Sequence, residues 1–283
     1  MVRVAFRPGG ARLEHPIADQ EIYLRRMSKP LREKLRVARY IPAQAERILD
    51  VGCADGTVTL ALAEMFPQRR FLGIDLENDL IERARKAAAE RKIANAAFER
   101  VYLRELLPRK ERYDAVIFVS VLHEFFTYGE GVSSVLKALA DAHELLRAGA
   151  EIVIRDMILE EYTRHTRFQT QAIAAKVAAD RGKHRLIADF VNQFGPLDSL
   201  YNLNHFLLKY MYEENWERES REHYVPVTFE QYQQLFGLLG MELQLRDSYL
   251  LPFLRDKWIA DFGLTEDELS GLRSTGFLAA RKR

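Results

Sequence analysis

The chain has 283 residues, of which 48% are apolar and 11% aromatic, enough for a substantial core. Its formal net charge of +1 excludes a global field drawing it to nucleic acid or an anionic membrane. The single cysteine, Cys53, excludes an intramolecular disulfide and a thiolate metal site, and no uncharged run reaches membrane-spanning length.

The first residues carry no signal-type apolar stretch, which gives a cytoplasmic expectation with no membrane partner. Turn signals at Pro8-Gly9-Gly10 and His15-Pro16 interrupt the opening segment. Ser28 suits a helix N-cap with Pro30 in the first turn. Leu31, Leu35, Ala38 and Ile41 then space an apolar stripe that Pro42 ends. Residues 1–44 therefore read as an extension with a leading helix. Arg25, Arg26, Lys29, Arg32, Lys34, Arg36 and Arg39 crowd this region against Glu33 alone. They form either a solvated helix face or a docking strip for phosphates or an acidic partner.

Strand and helix then alternate. Strand 48–51 precedes a helix over 57–66, strand 71–74 a helix over 78–91, and a weaker strand lies near 97–102. Strand 115–120 is continuously apolar, as expected when both faces are covered. A helix over 133–147 stops at Gly149, read as its C-cap, and strand 151–155 follows. This alternation predicts an α/β fold with a doubly wound parallel sheet over residues 45–159. Residues 160–225 have a helical pattern and read as a cap or lid insertion. Residues 226–283 return to the core. Thr228 caps a helix to Leu239, and strands at 241–249 and 276–281 flank an insertion over 250–273. That insertion holds Trp258 and a capping pattern at Thr265–Glu268.

The densest motif is Arg47–Thr57, a short strand running through Asp50 into a turn with Gly52 and Gly56. A second strand ends in Asp75. Glycines let backbone approach a ligand, and the helix N-terminus behind the turn favours an anion. The motif resembles motif I and the acidic loop of class I S-adenosylmethionine-dependent methyltransferases. The resemblance implies a seven-stranded, mainly parallel sheet ending in an antiparallel hairpin, with S-adenosylmethionine as cofactor. It also implies that Asp50, Gly52 and Gly56 contact the methionine part, with Cys53 and Ala54 in the same turn. By the same resemblance Asp75, beside Leu76, would accept from both ribose hydroxyls. Ala54 stands where the family often has glycine. Tyr102 either stacks on the adenine or packs in the core. The rival is a dinucleotide-binding dehydrogenase, but its three glycine positions read Gly52, Ala54 and Thr57.

Residues Tyr113–Glu124 resemble motif IV of the same family, without the Asn-Pro-Pro-Tyr signature of adenine or glutamine methylation. Ser120, His123 and Glu124 fall at the strand's carboxyl end, where such sheets bind ligands. Ser120 counts among the expected cofactor residues. Glu124 and Asp156 join His123 as catalytic candidates. His123 is either a general base or a helix cap and pocket wall. Asp156 and Arg155 either orient a polar group and hold a carboxylate or phosphate of the substrate, or pair internally. No metal is expected, since Asp156 lacks an adjacent Asp or Asn. In the aromatic segment His205–Tyr224, Tyr210, Tyr212, Asn215 and Trp216 are candidates for a lid or substrate wall, with Tyr128 added from the loop after motif IV. The alternative is that the aromatics hold a helical cap to the core. His165, His184 and His223 have no ligand spacing.

The expected function is methyl transfer to an oxygen or nitrogen nucleophile of a small molecule. The first alternative is an RNA substrate, in particular tRNA, with the basic strip on phosphates. The second is a non-catalytic cofactor-binding or scaffold protein.

Overall fold

The computed structural model describes residues 31–283. Seven strands form one sheet: β1 (Arg47–Val51), β2 (Arg70–Asp75), β3 (Ala96–Arg100), β4 (Tyr113–Val119), β5 (Leu146–Asp156), β6 (Met241–Tyr249) and β7 (Thr275–Lys282). Their order is β3-β2-β1-β4-β5-β7-β6. Strands β1 to β5 pair in parallel, and β7 inserts antiparallel between β5 and β6. The doubly wound sheet and its terminal hairpin are as expected. The order reverses between β1 and β4, and the crevice at their carboxyl ends is where such sheets bind ligands.

Val116, Ile117 and Phe118 of β4 are fully buried, because helices cover both faces of the sheet. On one face α5 (Val132–Leu145) and α10 (Phe229–Leu238) bring Val135, Leu139, Tyr232 and Phe236 against Leu49, Val116 and Leu278. On the other, α2 (Thr57–Met65) and the leading segment bring Leu62 and Val37 against Ile48, Ala115 and Phe277. The leading segment is a short helix, α1 (Leu31–Lys34), running on as a 3₁₀ turn over Leu35–Arg39. The expected cap at Ser28 and Pro30 lies outside the described residues. Helix α3 (Asn78–Glu90) follows β2, and α4 (Leu122–Thr127), which the sequence pattern did not mark, follows β4.

Gly149 does not cap α5. That helix stops at Leu145, β5 begins at once, and Gly149 sits inside the strand at φ +76°. There the β4–β5 register shifts between Tyr113 and Ala115, so the glycine serves a bulge.

Helices α6 (Phe168–Ala179), α7 (His184–Phe194), α8 (Leu200–Lys209) and α9 (Trp216–Glu219) come from one insertion. Helices α11 (Pro252–Phe262) and α12 (Glu266–Leu269) come from the other. The two insertions share one apolar core: Ile173, Phe190 and Phe206 pack with Trp258, Phe262 and Leu272. They form a single helical cap over the carboxyl end of the sheet.

Candidate active site

The turn after β1 takes three left-handed residues, Gly52 at φ +72°, Ala54 at +48° and Gly56 at +75°. A Cβ on Gly52 would stand 2.4 Å from Val121 Cγ2, so glycine is required there for space as well as conformation. Ala54 holds its conformation because its N–H donates to Asp75 Oδ2 at 2.9 Å. Asp75 Oδ1 accepts from the amides of Leu76 at 2.7 Å and Glu77 at 3.0 Å. Asp75 thus ties the glycine turn to the entry of α3. A carboxylate has about four acceptor positions, so Asp75 keeps about one for a ligand rather than two.

Asp50 is buried. Its Oδ2 accepts from the Thr59 hydroxyl at 2.6 Å, while Oδ1 has no partner among the described residues. Burial raises its pKa to about 6, with Thr59 opposing and Asp75 adding to the rise. A buried acceptor without a donor is costly, and a ligand ammonium would satisfy it.

One cavity lies along this crevice, lined by Asp50, Gly52, Cys53, Ala54, Asp75 and Ser120, and also by Glu124, Lys34, Glu77 and Arg218. Gly56 caps α2 just behind it. Cys53 is a packing residue, its thiol pushed well above its ordinary value by burial and by Asp50. Leu76 and Tyr102 do not line the cavity; both are about half exposed. Leu76 serves through its amide. Tyr102 is not a core residue either, but the N-cap of a 3₁₀ turn, its amide donating to Glu105 at 2.9 Å.

His123 and Asp156 meet, with Nδ1 at 2.8 Å from Oδ1. The other ring nitrogen is also occupied, because Nε2 lies 3.1 Å from Oε1 of Glu222, a cap residue. Burial opposes a charge on the ring, but Asp156 and Glu222 outweigh it and raise its pKa well above the usual value. An imidazolium with both N–H groups engaged has no lone pair to offer as a base.

Glu124 lines the cavity on the side of Arg218. Burial, with Glu222 adding to it, raises its pKa to about 7, while His123 and Arg218 hold it down. Arg218 approaches both carboxylates, at 3.7 Å from Glu124 Oε1 and 3.7 Å from Glu222 Oε2. Its Nε donates to the Tyr128 hydroxyl at 3.4 Å, and Tyr128 does not itself line the cavity. Ligand atoms of His123, Glu124 and Glu222 lie within 4.8 Å of one another. The His123 ring and the Arg218 guanidinium supply the positive charge this cluster needs.

Arg155 and Asp156 do not pair. Successive strand residues face opposite sides of the sheet. Arg155 is buried against the hydroxyls of Ser120 and Thr275, so it is not an open grip for a substrate anion. Tyr210 and Trp216 do not line this cavity. Both are buried in the cap, with Tyr210 donating to Asp261 at 2.6 Å and Trp216 to Asp189 at 2.9 Å. Tyr212 packs against Tyr224 in the same layer. The aromatics of this segment hold the cap together, and its charged residues Arg218 and Glu222 reach the site. His223 stacks on His205, ring centroids 4.7 Å apart.

The basic strip is divided. Arg32 and Arg39 are exposed, Arg36 bonds Glu33 at 3.4 Å and lies 3.9 Å from the Tyr249 ring centroid, and Lys34 points inward. Arg25, Arg26 and Lys29 lie outside the described residues. No described helix is long and apolar enough to cross a membrane.

Sequence reasoning missed Lys34, Thr59, Arg218 and Glu222. Two faint signals exist. Lys34 interrupts the buried side of the leading helix, and Arg218 and Glu222 stand four apart, the spacing of one helical face.

Residues 42–205 match a methyltransferase domain family. A trans-aconitate 2-methyltransferase from Streptomyces coelicolor is 37% identical over 76 residues, 26% of this chain and 25% of that protein. An O-methyltransferase family protein from Burkholderia thailandensis superposes with a TM-score of 0.52 at 14% identity, covering 91% of this chain and 56% of the other. An O-methyltransferase family 2 protein from Planctomyces limnophilus gives 0.53 at 13%, covering 92% and 61%. The chain spans between 25% and 42% of the length of the curated relatives it matches. The strand order, the left-handed turn, the orphan acceptor on Asp50 and the placement of Asp75 fit the expected cofactor and leave no dinucleotide fingerprint. This chain therefore belongs to the methyltransferase domain family, with the class I fold and S-adenosylmethionine as its cofactor.

Proposed function

We propose that the chain transfers a methyl group to an oxygen or nitrogen nucleophile of a small metabolite held beneath the helical cap. One observation carries the proposal: Arg218 of the cap and the glycine turn of the core line the same cavity. A reaction space walled from both sides suits a small, enclosed acceptor. The Streptomyces relative is named for such a molecule. RNA gains no comparable support, since among the described strip residues only Arg32 and Arg39 are exposed.

When bound, S-adenosylmethionine supplies an electrophilic methyl carbon on a sulfonium. The protein's part is alignment, exclusion of water and proton removal. Asp50 offers its free oxygen to the amino-acid end. Asp75 offers its remaining acceptor position to one ribose hydroxyl, and Glu77, also on the cavity wall, is placed to take the other. Glu124 takes the acceptor's proton. With a pKa of about 7 it is partly ionised at neutral pH, as suits a base working there. His123 sits behind this group as a positioning residue, holding Glu222, and with it Arg218, against the core.

The test is transfer from methyl-labelled S-adenosylmethionine into a metabolite extract and, in parallel, into tRNA. Label in a small molecule, lost in Glu124→Gln, is expected. Label in RNA would move the reading to the nucleic-acid alternative, and no label in either pool would leave the non-catalytic reading.

A further inference from the structure

We propose that Lys34 anchors the carboxylate of the cofactor's amino-acid part, forming an anion subsite contributed from outside the residues that match the family. The inference rests on the cofactor assignment and goes beyond it, because Lys34 precedes the matched segment, 42–205.

Lys34 sits at the end of α1, on the side that packs onto the sheet, and only 7% of it is exposed. A lysine this deeply buried is normally paired. Here no hydrogen bond or ion pair joins its ammonium to another described residue. The side chain instead lines the cavity beside Asp50, Gly52 and Asp55.

Arg155 is a second buried cation in the same field; it bonds hydroxyl groups of Ser120 and Thr275, and its Nε has no partner among the described residues. Of the nearby carboxylates, Asp55 accepts from the Thr57 amide at 3.1 Å, Glu124 faces Arg218, and Asp50 is engaged by Thr59 through Oδ2 alone. Burial and then Arg155 lower the Lys34 pKa to about 8, against the pull of Asp55, Asp50 and Glu124. A ligand carboxylate at this place would relieve both cations.

The complement is present as well. Asp50 Oδ1, buried and without a donor, lines the same cavity. An α-amino acid is a zwitterion, and a free ammonium beside an unmatched carboxylate oxygen is the arrangement that recognises both of its ends.

The experiment is calorimetry of the full chain and of Lys34→Met and Lys34→Arg with two probes. S-adenosylhomocysteine carries the amino-acid part, and 5′-methylthioadenosine lacks it. The wild type should bind S-adenosylhomocysteine more tightly. Lys34→Met should weaken that binding by ~10- to 100-fold and leave methylthioadenosine unchanged, and Lys34→Arg should recover most of the loss. Equal weakening of both probes would make Lys34 a structural residue and overturn the proposal, as would no weakening of either. If Lys34→Met does not fold, the wild type still decides: equal affinity for both probes means no carboxylate anchor. Wild-type protein that binds neither probe removes the cofactor assignment itself, and the proposal with it.

Discussion

His123 Nε2 lies 3.1 Å from Glu222 Oε1, a contact that joins the first helical turn after β4 to the far end of the cap insertion. The same ring meets Asp156 at 2.8 Å. One imidazolium therefore holds a core carboxylate and a cap carboxylate, and the wall of the reaction cavity depends on it. Removing His123 leaves Asp156 buried with backbone amides alone and Glu222 buried with only Arg218, at 3.7 Å. His123→Ala should cost about 3–5 kcal/mol of stability, measured by chemical denaturation.

The pH dependence of that term has a definite sign. The folded pKa of His123 is raised, so its contribution is complete below the unfolded value of about 6.5 and is lost as pH rises through the folded value. The stability gap between wild type and His123→Ala should therefore narrow in alkaline solution. Parallel urea titrations of both proteins across pH give the curve.

For Glu124 the readout is rate. A carboxylate with a pKa of about 7 loses its base function as it is protonated. Turnover should rise as pH passes through about 7 and then level. Glu124→Gln should lower kcat by ~100-fold and flatten this limb. A pH–rate profile of each protein tests both statements, and an unchanged limb in the variant would assign it to another group.

Gly52→Ala combines a left-handed φ of +72° with a Cβ only 2.4 Å from Val121 Cγ2. It should cost about 1–3 kcal/mol of stability and weaken S-adenosylhomocysteine binding through the displaced turn. Thermal melts with and without the ligand separate the two effects.

Tyr210 gives the contrasting case. Its hydroxyl donates to Asp261 inside the cap, away from the cavity lining. Tyr210→Phe should lose about 1 kcal/mol of stability and leave kcat/KM unchanged. Arg218→Ala, on the cavity wall, should lower kcat/KM instead. Steady-state kinetics with denaturation curves for the two variants would show whether cap aromatics or cap charges face the acceptor.

The sheet was legible because its signals are local. Apolar runs such as Val116–Phe118 need burial on both faces, and the turn at Gly52 and Gly56 admits few conformations. The turn and Asp75 were legible for the same reason, since a few adjacent residues carry them. The cavity wall that the cap supplies was not. His123 and Glu222 meet only after the cap insertion folds back, and no periodicity reports a contact between distant segments. The aromatic density around Tyr210 and Trp216 reflects a cap that needs its own core. From sequence, a buried indole against Asp189 is indistinguishable from one against a substrate. Arg155 and Asp156 look like a pair in sequence and are separated by the strand's alternation. Gly149 shows the same limit at the backbone level, since a glycine after a helix reads as a cap until the strand register reveals a bulge.

The most direct test is calorimetric titration of purified protein with S-adenosylmethionine and S-adenosylhomocysteine, beside Asp75→Ala. Saturable binding by the wild type, weakened at least ~100-fold in the variant, is the predicted result, since Asp75 both holds the Ala54 turn and offers an acceptor to the ribose. Wild-type protein that binds neither ligand would contradict the account at its base, as would an Asp75→Ala variant that binds both with undiminished affinity.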